Sequence, residues 1–363
     1  MKPLYIVGTH RDVGKTTFCV GLISALRQRG LRVGYTKPLG QRVASLAGQP
    51  IHEDALVVSR VMEAASPDSR LAVPLTRGRV EKEIFDLNAP ELAEKVASLC
   101  RHLRQENDVV VVEGMGHVAM GSVLKLSSAD VARLIGARAM LISGGGIGRT
   151  IDDISLCATF ITARGADLMG AVVNKVWPEK YDRVKEATTK GLDNLGIRSF
   201  GTVPYEPVLA SPTIGQVAQQ LGGRILCGTG SLSNRVGKTI IGAMETQHMV
   251  SYLKDRALVV TPGDRSDNIL AILSTYMLVT EIPPPVSGIV LTGGFIPSGH
   301  VMNLLVESGL PAIQSNEDTY SLAVRLRETV FKMTPDDTER IQAAARLIGM
   351  HVDVDAIVEG LRE

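Results

Sequence analysis

Residues 108–113 read Asp-Val-Val-Val-Val-Glu. Four consecutive valines leave no polar face to turn towards water. As a strand they must be covered on both sides, which is the position of an inner strand in a parallel sheet flanked by helices. The same theme recurs at 4–7, 31–35, 139–142, 168–173 and 199–203. Helical patterns stand between these runs, at 14–29, 54–65, 89–104, 150–164 and 179–195. In the third of them Leu92, Val96, Leu99 and Leu103 share one face. Gly30 stops the first. The alternation predicts an α/β fold with a doubly wound, mostly parallel sheet and right-handed crossovers.

At 363 residues the chain is long enough for two domains. Pro204, Pro207 and Pro212 cluster just before a short helix closed by Gly222-Gly223, and this marks the boundary. A second, smaller α/β pattern follows. It has strands at 257–261 and 287–292 and helices near 241–254, 266–279, 299–308 and 317–331. The last stretch reads as two amphipathic helices, with Thr334 before Pro335 as the expected N-cap. The expected domains are therefore 1–215, 223–335 and a helical tail at 336–363. Thirty-nine basic and 38 acidic residues nearly cancel. No bulk positive field is available, so no nucleic-acid partner is expected. The four cysteines, Cys19, Cys100, Cys157 and Cys227, lack metal-ligand spacing. The N-terminal apolar run is too short for a signal, and no stretch is long enough to span a membrane. A reduced, cytoplasmic protein is expected.

The motif richest in chemistry is Gly8-Thr-His-Arg-Asp-Val-Gly14-Lys15-Thr16-Thr17, between the first strand and the first helix. A loop of this kind aims backbone N–H groups and the helix dipole at a polyphosphate. Thr9, Asp12, Val13, Gly14, Lys15, Thr16 and Thr17 are the candidate phosphate contacts. Lys15 is expected at the β- and γ-phosphates and Thr16 on Mg²⁺. A lysine in the first helical turn opposes the dipole, so it needs such a reason. Gly237-Lys238-Thr239 repeats the last letters of the motif without its first glycine. It is expected to be a surface turn leading into a helix.

Glu113 ends the valine strand, and Lys37 ends the second strand before Pro38. Both are therefore expected at the carboxyl edge of the sheet, where ligands of such folds bind. Lys37 there suits charge developing in phosphoryl or acyl transfer. Asp54 opens a helix and reads equally as an N-cap or as a metal-side acid. Asn174-Lys175-Val176-Trp177 ends a later strand. It has Trp177 where an N-K-x-D sequence carries its guanine-selecting Asp, which favours adenine, with Asn174 as the candidate for the base edge.

With these residues together, the first ~215 positions resemble the dethiobiotin-synthetase-like P-loop proteins. The shared features are the loop Gly8–Thr16, Lys37-Pro38, Asp54-Ala55-Leu56 and Val112-Glu113-Gly114. That resemblance implies Mg²⁺ held by Thr16, Asp54 and Glu113, catalytic roles for Lys15 and Lys37, and an adenine site at Asn174, Pro204 and Tyr205. The substrate loops depart from dethiobiotin synthetase itself, at Leu39-Gly40-Gln41 and at 115–122. Lys37-Pro-Leu-Gly-Gln41 and residues 203–222 are similar to the N-terminal region of long phosphate acetyltransferases. Residues ~225–350 resemble a DRTGG domain, through Thr261-Pro-Gly-Asp-Arg-Ser266 and Leu291-Thr-Gly-Gly294. In that family the domain is a small α/β unit that dimerises, and some members bind adenine nucleotides. The chain ends at Glu363 without a transferase catalytic segment, so acetyl transfer is not expected. Retention of Lys15 implies nucleotide binding. The expected function is a Mg-ATP-binding regulatory or sensor protein, a homodimer with a metabolic enzyme as partner, possessing at most slow ATPase activity. The alternative is an ATP-dependent ligase acting on a small carboxylate or carbamate. A partner-bound switch of the partitioning-ATPase kind has no feature of its own here.

Overall fold

The computed structural model describes residues 1–41, 43–46, 49–62, 72–86, 88–278 and 283–363. They form two compact units, Met1–Glu206 with Met333–Glu363, and Pro207–Lys332.

The first unit is built on six parallel strands: β1 (Leu4–Gly8), β2 (Val33–Thr36), β3 (Val109–Glu113), β4 (Arg138–Gly144), β5 (Asp167–Val176) and β6 (Ser199–Pro204). Their order is β6-β5-β4-β1-β3-β2. The four valines of β3 are buried as their run demanded, between β1 and β2. After β3 the chain crosses to the other side of β1. The winding therefore reverses around β1 and opens a crevice at its carboxyl end. Helices α1 (Lys15–Gln28), α2 (Glu53–Met62), α3 (Ala89–Glu106), α4 (Gly148–Ala163) and α5 (Tyr181–Asn194) fall in the expected windows. Residues 63–65 of the second window lie outside the described residues. All four cysteines are free and buried, and burial raises each thiol above its ordinary range. Among the described residues no helix is long and apolar enough to cross a membrane.

The second unit is a five-stranded sheet of β7 (Arg224–Cys227), β8 (Lys238–Ile241), β9 (Ala257–Pro262), β10 (Val286–Thr292) and β11 (Ala312–Gln314). Its order is β7-β11-β10-β9-β8, with only β7 antiparallel to its neighbour. Helix α6 (Ile214–Leu221) buries Ile214, Val217 and Leu221 against Leu258, Val260 and Ile313 of this sheet. Residues 207–215 thus belong with the second unit. Gly237-Lys238-Thr239 enters the edge strand β8 and not a helix. Gly237 N donates to Arg256 O at 2.9 Å, which starts pairing with β9. Helices α7 (Ser266–Leu278), α8 (Gly299–Ser308) and α9 (Thr319–Glu328) also belong to the unit, and of the helix expected near 241–254 only Thr246–Val250 is helical.

The expected tail is two helices, α10 (Thr338–His351) and α11 (Val354–Arg362), and both return to the first unit. Asp337, not Thr334, occupies the N-cap of α10. Thr334 lies in the preceding turn, where its carbonyl accepts from Asp337 N. A Cβ on Gly21 of α1 would lie 2.4 Å from Ile348 Cγ1 and 2.5 Å from Ala344 O, so α10 meets α1 at a position without a side chain. Further ties are Asp353 N to Phe200 O and Lys2 N to Leu361 O, both at 2.9 Å. Arg138 Nη1 also donates to Gly360 O at 2.7 Å.

Candidate functional site

The loop between β1 and α1 turns at Asp12, whose φ is 58°, and at Gly14, whose φ is 96°. Gly14 is the N-cap of α1, where no side chain caps the helix and no acid stands in the first turn. The open N–H groups of that turn are the anion-attracting feature of such an end. A Cβ on Gly14 would also collide with Asn174 Nδ2 at 2.4 Å. Thr9 anchors the start of the loop, through its N–H to Ile142 O at 3.0 Å and its hydroxyl to Ser143 Oγ at 3.1 Å. Val13 is buried, Asp12 is exposed and Thr17 is half-buried. Lys15 is buried and donates to Gly116 O at 3.1 Å, and burial lowers its pKa.

Four expected residues converge at the carboxyl edge of β1, β2 and β3. Thr16 Oγ1 donates to Glu113 Oε1 at 2.8 Å. Lys37 Nζ donates to the same oxygen at 2.8 Å and to Asp54 Oδ2 at 2.6 Å. Lys37, Asp54 and Glu113 are all buried. Burial disfavours the Lys37 ammonium, but Glu113 and Asp54 outweigh it and hold its pKa above the ordinary lysine value. Two ammonium groups, Lys15 and Lys37, thus face two carboxylates beside the open helix end. The hydroxyl and carboxylate oxygens of Thr16, Asp54 and Glu113 are hard donors. They fit Mg²⁺, which favours one or two carboxylates with phosphate oxygens completing its shell.

Other members of the site carry no motif. Tyr35 Oη donates to Glu113 Oε2 at 2.8 Å and is buried with it. It lies two residues before Lys37, so alternation along an extended strand puts both on one face. That spacing was the signal available. His52 Nδ1 lies 3.4 Å from Asp54 Oδ2 and accepts from Asp54 N at 3.2 Å.

The expected base-binding residues stand at the ends of β5 and β6. Asn174 Nδ2 donates to Val13 O at 2.9 Å, while its Oδ1 accepts from Lys175 N. Lys175, at φ 60°, donates from Nζ to Asp12 O at 2.6 Å. Asn174 and Lys175 therefore brace the phosphate loop. Pro204 pairs with Val176 in the sheet, and Tyr205 N donates to Val176 O at 2.7 Å. The Tyr205 ring lies against Trp177, with centroids 4.5 Å apart.

A strand, a loop ending in a left-handed glycine, a first-turn lysine and a threonine joined to a strand-end acid define a P-loop domain. The chain belongs to the AAA domain family, whose family model matches residues 2–213. The family model of the DRTGG domain matches residues 216–329. The phosphate acetyltransferase of Pseudomonas putida is 28% identical over 368 residues, covering 97% of this chain and 51% of the relative. That of Pseudomonas aeruginosa is 27% identical, covering 98% and 51%. The chain spans about half the length of the curated relatives it matches, and the resemblance to phosphate acetyltransferases is borne out. Among solved structures, the MinC:MinD cell division complex of Aquifex aeolicus matches at TM-score 0.39 and 13% identity, covering 58% of this chain and 84% of that one. The CBS and DRTGG domains of the Clostridium perfringens pyrophosphatase regulatory region, complexed with the activator diadenosine tetraphosphate, match at TM-score 0.28 and 15% identity. They cover 36% of this chain and 50% of that one.

Proposed function

We propose that the first unit binds Mg-ATP and that the chain serves as a nucleotide-responsive regulatory module, homodimeric through its DRTGG domain and acting on a metabolic enzyme. The observation that carries the nucleotide reading is the Thr16–Glu113–Lys37–Asp54 network at the open start of α1. The N–H groups of the loop and Lys15 hold the phosphates. Thr16, Asp54 and Glu113 hold Mg²⁺, which screens the phosphate charge when bound. Lys37, already paired with both acids, steers the γ-phosphate by charge. The match to phosphate acetyltransferases over half their length suggests that the enzyme regulated is of that metabolism.

Mg-ATP at one hundred times its Kd should stabilise the protein by ~2.7 kcal/mol. Lys15→Ala should abolish that gain, and Mg-GTP should give less. Equal stabilisation by the two nucleotides, or a gain that survives in Lys15→Ala, sinks the reading. The buried Lys37 between two acids also suits phosphoryl transfer to a small carboxylate or carbamate. Phosphate release that rises steeply with one such acid would favour that ligase reading over regulation.

A further inference from the structure

We propose that the Lys37 ammonium keeps the metal side of the site closed and yields it only when a polyphosphate takes up its charge; the inference rests on the nucleotide reading above. Lys37 Nζ lies 2.6 Å from Asp54 Oδ2 and 2.8 Å from Glu113 Oε1, two of the oxygens suited to Mg²⁺. A carboxylate oxygen has two lone pairs. At Glu113 Oε1 one accepts from Lys37 and the other from Thr16 Oγ1 at 2.8 Å, while Oε2 accepts from Tyr35. Glu113 Oε1 is thus filled on both sides by protein hydrogens. A dication at the same carboxylates would also meet the ammonium at close range, where burial leaves little water to screen the repulsion. Lys37 therefore competes with a metal for the acids both by occupancy and by charge.

The rest of the site lets this side chain leave. The backbone beside it is fixed, because Val73 N donates to Pro38 O at 2.9 Å and Leu75 N to Gly40 O at 2.8 Å. The ammonium itself rides on a flexible four-carbon stem. Withdrawing it with nothing in return would strand two buried carboxylates, which is strongly unfavourable. A polyphosphate at the start of α1 changes both sides of that balance. Its oxygens accept from the ammonium, and its charge favours a dication on the acids. Lys15 is already directed elsewhere, to Gly116 O at 3.1 Å. Thr16 gives its proton to Glu113 and keeps the lone pairs of Oγ1, so it serves a metal without rearranging. The consequence is an order of binding: metal and polyphosphate enter together, and metal alone does not. The chain then answers to the metal-loaded nucleotide and not to free divalent cation.

The test is calorimetry on the full chain with Mn²⁺, a dication that favours the same oxygen ligands. Wild type without polyphosphate should show no one-to-one Mn²⁺ site. Lys37→Met should gain one, about tenfold or more tighter than any wild-type binding, and adding Asp54→Asn should abolish it again. Mn²⁺ should raise the melting temperature of Lys37→Met, where it replaces the missing ammonium, and leave that of wild type unchanged. Mn²⁺ should also tighten tripolyphosphate binding to wild type, and Asp54→Asn should remove that gain. Wild type alone keeps the test decisive where Lys37→Met does not fold: a one-to-one Mn²⁺ site in the polyphosphate-free chain, abolished by Asp54→Asn, overturns the proposal. A folded Lys37→Met that gains no site overturns it too. Either result beside Lys15-dependent binding of Mg-ATP leaves the nucleotide reading standing. Absence of Lys15-dependent binding for both Mg-ATP and Mg-tripolyphosphate overturns that reading and the release of Lys37 with it.

Discussion

Gly21→Ala tests whether α10 closes over the helix that carries Lys15 and Thr16. In an isolated helix this change is stabilising by up to about 1 kcal/mol, because alanine is the better helix former. Here the new methyl would lie 2.5 Å from the Ala344 carbonyl oxygen and 2.4 Å from Ile348 Cγ1. The isoleucine end is able to rotate, but the carbonyl belongs to the backbone of α10 and moves only with its helix. Overpacking of this kind costs about 1–3 kcal/mol, and the backbone contact argues for the upper part of that range. The net expectation is a loss of about 1–2 kcal/mol, or roughly 2–8 °C in melting temperature for a unit of this size. The control is Gly349→Ala on α10 itself, where the glycine is exposed and a Cβ would meet nothing within 4 Å. It should be neutral to stabilising by up to about 1 kcal/mol. Thermal denaturation of the two variants beside the parent reads the difference. If Gly21→Ala stabilises as much as Gly349→Ala, the packing of α10 on α1 is refuted.

Tyr35→Phe should cost about 1–3 kcal/mol in chemical denaturation, because it removes a donor from a carboxylate that is 1% exposed; an unchanged midpoint would remove Tyr35 from the site. Lys37→Met should cost about 3–5 kcal/mol at neutral pH by leaving Asp54 and Glu113 buried without their ammonium. The pKa of Lys37 is raised on folding, so the stability it contributes is complete below its unfolded value of 10.5 and is lost as pH rises through the higher folded value. Wild type should therefore lose stability in that alkaline range, and Lys37→Met should lack this component; parallel profiles above pH 10.5 would contradict it.

The sheet of the first unit was legible because its strands are uninterrupted apolar runs and its helices have one apolar face. The four valines of β3 have no other way to leave water. In the second unit β7 and β11 were missed, and β8, whose Ile240 and Ile241 look like a strand end, was read as a turn leading into a helix. They are three or four residues long, and β7 and β8 are edge strands whose partly exposed residues blur the apolar signal. Thr334 looked like a cap because local spacing favoured it, yet the turn before Asp337 is set by the chain's return to the first unit. Lys15, Thr16, Lys37 and Glu113 were readable because each sits at the carboxyl end of a recognisable strand or at the start of a helix. Asp54, 17 residues after Lys37, reads from the residues alone as a cap or a metal-side acid alike; the resemblance favoured the second, and the structure adds its 2.6 Å contact with Lys37 Nζ.

The sequence by itself thus determined the parallel α/β class, the phosphate loop and the edge of the sheet that bears the site, since these depend on apolar runs and residues near in the chain. Only the tertiary structure decided that Tyr35 and Lys37 share Glu113, that Asn174 and Lys175 brace the loop, that Trp177 stands exposed beside Tyr205, and that the last helix pair covers α1. Those contacts join residues up to hundreds of positions apart. Burial and backbone approach select them, and neither is written in local pattern.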